Sequence, residues 1–457
     1  MITVSVDRQD GQLQVLHTNT SAPVTQNHPR FEYDWIEDVE DLGGYQPGGY
    51  HPIMIGDKLN YDRYHIVDKL GYGGYSTVWL AHDAQLKKYV ALKVHVASHP
   101  PTDTNILKAL SDPSQSQHPG HHLMPTILDE FEVHGPNGTH KCHTTPLAAC
   151  SIRDLKFNHV LPLEFARALA YGLVLAVSYV HSQGYAHGDL YLANILLKFS
   201  ASIDALSIEQ LYEKYGTPQT IPITRSNGEP LSDNIPTHAV QPLFLGKSMD
   251  ELTLPEAQLT LSDFGEAFAP GSETRLGMKC NTPDAYRAPE AKFEPNSPIS
   301  YSSDIWSLAT ALWDIIGMKT IFSSSWATED EVASQQVDVL GPMPAEWYAK
   351  WEGRRQFWDE EGNSTDYHKG NKWRPLGDEH FEDCVQKWRR KKGWKEIAED
   401  EKTAFFGMMR KMMKFRPEER PTADQVLEDE WMVKWALPDY KRSLEGPSEQ
   451  SKNASSD

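Results

Sequence analysis

The stretch His187-Gly188-Asp189-Leu190-Tyr191-Leu192-Ala193-Asn194, running into the apolar Ile195-Leu196-Leu197, decides the fold. It follows a segment, Leu161 to Ser182, whose apolar residues Phe165, Leu169, Leu173, Val177 and Val180 recur at helical spacing and predict a buried helix. An Asp five residues before an Asn, on a loop opening into a strand, can set a carboxylate beside a nucleophilic hydroxyl and a carboxamide beside a metal. His-Gly-Asp alone reads equally well as a turn with side-chain caps, so its neighbours must decide. Downstream, Leu261-Ser262-Asp263-Phe264-Gly265 is an apolar strand ending in a carboxylate, the ligand type that a hard cation such as Mg2+ takes among phosphate oxygens. Upstream, Leu70-Gly71-Tyr72-Gly73-Gly74-Tyr75-Ser76-Thr77-Val78 precedes Val90-Ala91-Leu92-Lys93. A Gly-rich turn between strands lets backbone N–H groups approach phosphates, and a Lys on the next strand adds a point charge. Glycines alone would suggest only a β-turn; the order of the three motifs carries the signal.

The rest of the chain bounds this reading. Its 457 residues allow up to about three domains by length. The formal charge of −20 argues against a general nucleic-acid binder and allows basic partners. No uninterrupted apolar run nears the roughly 18 residues of a membrane span, which excludes an integral membrane protein. The four cysteines are scattered without Cys-x-x-Cys, and the first residues resemble no leader peptide, so a reducing compartment, cytoplasm or nucleus, is expected. Residues 1–50 are polar and acidic and read as an extended or disordered arm. Short β-type runs (YHIVDKL, STVWLAHD, KYVALKV) fill a small lobe over 51–148, helical patterns a larger lobe over 149–440, and 441–457 form a polar tail.

With the three motifs in order, the chain resembles the eukaryotic protein kinases from about 60 to 435, including Tyr286-Arg287-Ala288-Pro289-Glu290, Ser303-Asp304-Ile305-Trp306-Ser307-Leu308 and Arg416-Pro417-Glu418-Glu419-Arg420-Pro421-Thr422. The resemblance implies an α+β bilobal fold, a small antiparallel β lobe beside a larger helical lobe, with ATP between them. By likeness, Leu70, Gly71, Tyr72, Gly73, Val78 and Ala91 cover the nucleotide, Lys93 steadies its phosphates, Asn194 and Asp263 hold Mg2+, and Asp189 is the base. Glu290 and Arg420 should form a buried ion pair, and Asp304 should accept hydrogen bonds from the catalytic-loop backbone. A nearer resemblance is to the SR-protein-kinase-like group, fungal members especially. It rests on Gly48-Gly49-Tyr50-His51-Pro52, Ile55-Gly56-Asp57, Ser76 to Ala81 and Gly135-Pro136-Asn137-Gly138, and on the 69-residue interval from Asn194 to Asp263. That interval, an insertion near 199–258, should hold a short helix and an extended strand packed on the lobes. A second insertion lies near 320–395. The likeness implies a monomeric Ser/Thr kinase acting on a basic, Arg/Ser-rich protein, with no direct nucleic acid.

Several positions depart from the pattern. The Lys93 partner is normally Glu; here Asp103 is the candidate, one methylene short and equally readable as a helix cap. Tyr191 stands where the catalytic loop usually has Lys, which removes a positive charge from phosphoryl transfer. Gly188 replaces the Arg of many regulated kinases. Lys141-Cys142-His143-Thr144-Thr145-Pro146-Leu147 is an unusual hinge, with His143 expected beside adenine. Tyr191, Asp103 and the hinge motivate the rival reading, a pseudokinase that binds nucleotide or scaffolds. A third reading, a small-metabolite kinase, is disfavoured by the complete segment from Asp263 to Glu290. His118, His121 and His122 lack metal spacing, and the many Trp residues of the late chain read as core.

Overall fold

In the computed structural model, residues 32–99, 103–115, 117–157, 159–199, 202–323 and 327–445 are described. The β-branched and aromatic runs pair into one antiparallel sheet: β1 Lys58–Leu59, β2 Tyr64–Gly73, β3 Ser76–Asp83, β4 Lys88–His95, β5 Asp129–Gly135 and β6 Gly138–Pro146, in the order β1-β2-β3-β4-β6-β5. Alternate residues of these strands (Ile66, Trp79, Leu92, Val94, Cys142) close a small core. The register aligns Gly71, Val78, Lys93 and His143 in one row across four strands. Residues directly opposite share a face, so this row faces one way. Helix α1, Asp103–Leu110, crosses that face between β4 and β5.

The acidic arm differs from the extended segment expected over 1–50. Within 32–50, Asp41 caps a 3₁₀ turn at Leu42–Gly44, and Tyr33, Leu42, Tyr45 and Tyr50 are buried with Val96 of the small lobe and Ile223 and Ala239 of the later insertion. Glu40 pairs with the fully buried Lys69, and Tyr45 also donates to Glu40. The physical reason is twofold: four large apolar groups supply area to bury, and a buried ammonium draws a carboxylate to it. Residues 1–31 lie outside the described residues.

The chain crosses to the large lobe at Leu147, through β7 Ala148–Ser151 and α2 Ile152–Lys156, into α3 Leu163–Ser182. By length and composition α3 could span a membrane, with a mean hydropathy of 1.4 over 18 residues. Its apolar faces instead lie inside the lobe, where Leu169, Leu173, Val177 and Val180 are fully buried. Strand β8, Ile195–Lys198, follows the catalytic loop. The insertion after it begins with α4, Ile208–Tyr215, whose start is fixed by a Ser207/Gln210 capping box. Its extended part pairs into a ribbon, β9 Thr220–Pro222 with β10 His238–Val240, where a lone strand was expected. The insertion packs on the small lobe: Leu211 joins Val67, Leu80 and Tyr89, Tyr212 donates to the Val67 carbonyl at 2.8 Å, and Leu243 N–H to the Lys69 carbonyl at 2.7 Å. The chain then returns as β11, Leu259–Leu261, completing a sheet of order β11-β8-β7.

Beyond the site come α5 Pro289–Phe293, α6 Tyr301–Ile316 and α7 Glu329–Leu340. Trp306 and Trp313 are wholly buried, while Trp347 and Trp351 build a satellite core with Met343 and Phe357, their indole N–H groups donating to Glu294 and Asp330. These tryptophans are core, as read from the sequence; Trp326 lies outside the described residues. Of the expected tail, 441–444 continue the helix Leu437–Leu444, and 446–457 lie outside the described residues.

Candidate active site

Asp304, in the first turn of α6, anchors the loop that begins at His187. Its carboxylate accepts the backbone N–H of His187 at 2.6 Å, that of Gly188 at 2.9 Å, and His181 Nε2 at 2.9 Å. Burial works against this charge, but His181, His187 and the backbone donor outweigh it and lower the Asp304 pKa. Gly188 has φ +76°, and a Cβ there would lie 2.5 Å from the Glu266 carbonyl oxygen. Thr282 Oγ1 donates to the Gly188 carbonyl at 2.6 Å. The loop is thus held from three sides, and Asp189 emerges from it in a set position.

Asp189 Oδ2 accepts Asn194 Nδ2 at 2.9 Å, and the same amide nitrogen donates to the Asp189 carbonyl at 2.9 Å. Asp189 Oδ1 is buried without a hydrogen-bond partner. Burial first, then the charge of Asp263, pushes this carboxyl up to about 7, against the pull of Asn194. A proton acceptor poised near neutrality, with one oxygen uncommitted, suits a general base. Because the Asn194 nitrogen is spent on Asp189, its Oδ1 is the atom available to a cation.

Lys93, on β4, meets Asp103 Oδ2 at 2.9 Å and Asp263 Oδ1 at 3.0 Å. The structure resolves the two sequence readings of Asp103: it opens α1 and also pairs with Lys93, the short helix bringing the shorter carboxylate close. Burial opposes the ammonium charge, yet Asp263 and Asp103 together raise the Lys93 pKa. Burial likewise opposes the Asp103 charge, but Lys93 wins and holds it down at about 2. Asp263 sits at φ 57°, a left-handed conformation that is costly for a residue with a side chain and clusters at functional sites. Its side chain is 49% exposed toward the cleft, and Lys93 lowers its pKa.

Above these groups, β2 and β3 turn at Gly73-Gly74-Tyr75. A Cβ at Gly71, Gly73 or Gly74 would meet nothing within 4 Å, so the backbone of this turn is open to close approach by a ligand. Leu70, Val78 and Ala91 are half-buried and Tyr72 is exposed. Space for phosphates, a paired Lys, and oxygen donors from Asp263 and Asn194 make a set that fits Mg·ATP. The hinge differs from the sequence expectation: β6 continues to Pro146, so the crossing begins at Leu147, and His143 is buried on the row of Lys93, against His95, because strand pairing with β4 extends that far.

Tyr191 packs against Tyr286, their rings 5.6 Å apart, and burial followed by the Asp189 charge pushes its phenol up to about 12, so it brings no charge at neutral pH. Arg153 is the cation whose charge opposes that shift. Glu290 and Arg420 form a bidentate pair at 2.8 and 2.7 Å, and Arg420 also donates to the carbonyls of Lys414, Ser302 and Phe415. Two contacts were not foreseen. Tyr50 donates its hydroxyl to the Gly73 carbonyl at 2.8 Å, and Glu266 holds the segment after Asp263 through Arg275 at 3.0 Å and Asn281 at 2.8 Å. Tyr50 stood within Gly48-Gly49-Tyr50-His51-Pro52, but only the tertiary path of the arm shows what it touches.

Comparison with known proteins agrees with this geometry. Residues 249–432 match the family profile described as "Protein kinase domain". That match begins at the end of the first insertion, so Lys93 and Asp189 stand on the geometry above. A serine/threonine protein kinase of Aspergillus fumigatus is 28% identical across 90% of this chain and 94% of its own length. Protein kinase dsk1 of Schizosaccharomyces pombe is 24% identical, covering 90% of this chain and 87% of that protein. Human SRSF protein kinase 3 is 35% identical over 35% of this chain and 30% of that protein. A crystal structure of a kinase domain superposes with a TM-score of 0.55 at 18% identity, covering 84% of this chain and 98% of the other, which supports the fold alone. The chain therefore has the bilobal kinase fold, and its residues 249–432 match the protein kinase domain. Within that family it is similar to the SR-protein-kinase-like group, fungal members included.

Proposed function

We propose that this protein is an ATP-dependent serine/threonine kinase that uses Mg2+ and phosphorylates basic, Arg/Ser-rich proteins. The observation that carries the reading is the convergence of Lys93 on Asp103 and Asp263, opposite an Asp189 held by Asn194. Mg2+, when bound by Asn194 and Asp263, would neutralise phosphate charge and orient the oxygens. Lys93 steadies the phosphates, and the Gly71–Gly73 backbone covers them. Asp189 Oδ1 orients the substrate hydroxyl and takes its proton, while Asn194 keeps the other oxygen occupied. Preference for basic substrates is supported by the net charge of −20 and by the similarity to human SRSF protein kinase 3. A reducing compartment, cytoplasm or nucleus, accords with four free cysteines.

The pseudokinase reading retains only Tyr191. Its other two motives weaken, since Asp103 does pair with Lys93 and His143 is a buried strand residue against His95, short of the crossing at Leu147. The test combines thermal shift with Mg·ATP and γ-phosphate transfer to an Arg/Ser-rich peptide and to an unrelated basic protein, with Asp263→Ala as control. Transfer that prefers Arg-flanked serines, weakens with salt and vanishes in the control is expected. Binding without transfer would overturn the enzyme, and transfer without Arg preference would overturn the substrate class.

A further inference from the structure

Three side chains from separate parts of the small lobe meet behind Lys93: His95 at the end of β4, Asp103 at the start of α1, and His143 in β6. All three are buried. His95 Nε2 lies 3.3 Å from His143 Nδ1 and 3.7 Å from Asp103 Oδ1, and the candidate donor atoms all lie within 4.8 Å of one another. Asp103 is 2% exposed, yet Oδ1 has no hydrogen-bond partner; only Oδ2 is engaged, by Lys93. An unsatisfied buried carboxylate oxygen is costly, and here the nearest imidazole nitrogen, His95 Nε2, stands at 3.7 Å, beyond hydrogen-bond reach.

We propose that His95, His143 and Asp103 Oδ1 form a zinc site, with water in the fourth position. Two imidazoles and one carboxylate make a donor set that zinc takes with an open position, and bonds of about 2.0–2.1 Å set neighbouring donors roughly 3.3–3.4 Å apart in a tetrahedron. The two nitrogens already stand at that spacing; Asp103 Oδ1 lies 3.7 Å from His95 Nε2 and within 4.8 Å of the His143 donor, so a rotation of the carboxylate closes the set. Both rings are neutral at neutral pH, the ligating form: burial, foremost, pushes His95 down to about 4 and His143 to about 3. Mg2+ prefers an all-oxygen shell and competes poorly for such a site.

The site has a consequence for catalysis because Asp103 is shared. A divalent cation on Oδ1 withdraws charge from Oδ2 and adds repulsion beside the Lys93 ammonium. Zinc therefore loosens Lys93 and weakens nucleotide binding, and by linkage nucleotide weakens zinc binding by the same factor. The compact trio His118, His121 and His122 forms no such cluster among the described residues; His118 instead packs on Tyr179 and accepts the Gly120 N–H.

The metal-free full chain is titrated with Co2+ in millimolar Mg2+, then with Zn2+. One equivalent of Co2+ should give the visible absorption of a tetrahedral site, Zn2+ should displace it, and the band should vanish in His143→Gln and His95→Gln variants that melt like the parent. X-ray absorption on the zinc form of the unmodified chain should count two imidazoles and a carboxylate oxygen, a readout that needs no variant to fold. Saturating Zn2+ should weaken Mg·ATP binding roughly fivefold or more in the parent chain and not in His143→Gln. Absence of stoichiometric binding, a band that survives both substitutions, or a shell without imidazole overturns the site. Bound zinc with unchanged ATP affinity overturns the coupling to Lys93.

Discussion

The vacant Cβ position of Gly188 points at the Glu266 carbonyl oxygen from 2.5 Å, with Gly188 itself at φ +76°. Side chains are excluded here twice, by backbone conformation and by contact with main chain that cannot yield. The Arg that regulated kinases carry at this position, as the sequence resemblance implies, has no room. Glu266 is instead occupied by Arg275 and Asn281 from its own segment. Gly188→Ala should cost more than about 1 kcal/mol and lower the melting midpoint by roughly 1 °C or more. Unchanged melting and activity would show that the loop tolerates what this geometry forbids.

Tyr191 brings a neutral phenol to a place where developing negative charge wants a cation. Placed against Tyr286, a lysine could extend its ammonium toward the cleft. Tyr191→Lys should raise kcat about tenfold or more, within what one well-placed charge supplies in phosphoryl transfer. No rise in a folded variant would mean that charge at this position does not limit the rate.

Asp189 titrates near 7 in the fold, so kcat/KM should rise with pH on an acidic limb centred close to neutrality, where an ordinary carboxylate would give a limb near 4. Stability follows the opposite trend. The folded chain holds this proton more tightly than the unfolded one, so the contribution of Asp189 to stability falls as pH climbs from about 4 to about 7. A pH–rate profile flat between pH 5 and 8 would be inconsistent with this base.

Glu290 and Arg420 are buried and bidentate, and removing one leaves the other charged without its partner. Glu290→Gln or Arg420→Ala should destabilise by about 3–5 kcal/mol, measured by urea unfolding. The double variant Glu290→Leu with Arg420→Met should recover part of this loss. Recovery stays partial because three carbonyls lose the Arg420 donor. Additive losses in the double variant would show that the two residues act independently.

Tyr50 fixes the Gly-rich turn from outside through the Gly73 carbonyl. Tyr50→Phe removes one hydrogen bond, worth about 0.5–1.5 kcal/mol, while keeping the ring packed beside Tyr45. KM for ATP should rise roughly two- to tenfold with melting nearly unchanged. An unaltered KM would separate the arm from nucleotide binding.

Much of the site was legible because its residues lie in short runs whose chemistry depends on local spacing. His187 to Asn194 form one loop, Asp263 ends one strand, and Gly71 to Lys93 span a hairpin and the next strand. Helix α3 was equally legible from its apolar period, since burial on nearly every side demands a continuous run of such residues. The arm was misread because low hydropathy in a segment says nothing of a partner surface supplied by residues some two hundred positions later. Asp103 has two plausible local uses and His143 reads as a hinge residue for a related reason: only the approach of α1 and the register of β6 against β4 decide where each side chain lies.

By itself, the sequence determined the motif order, and with it the class of chemistry, because glycine, lysine and carboxylate spacing within a loop or strand is a local constraint. Tertiary structure alone decided which carboxylate holds Lys93, that the arm and first insertion clasp the small lobe, and that His95, Asp103 and His143 share one buried space. Those relations join residues far apart in the chain. Their energies depend on burial and on distances of a few ångströms, which the packing of whole elements sets.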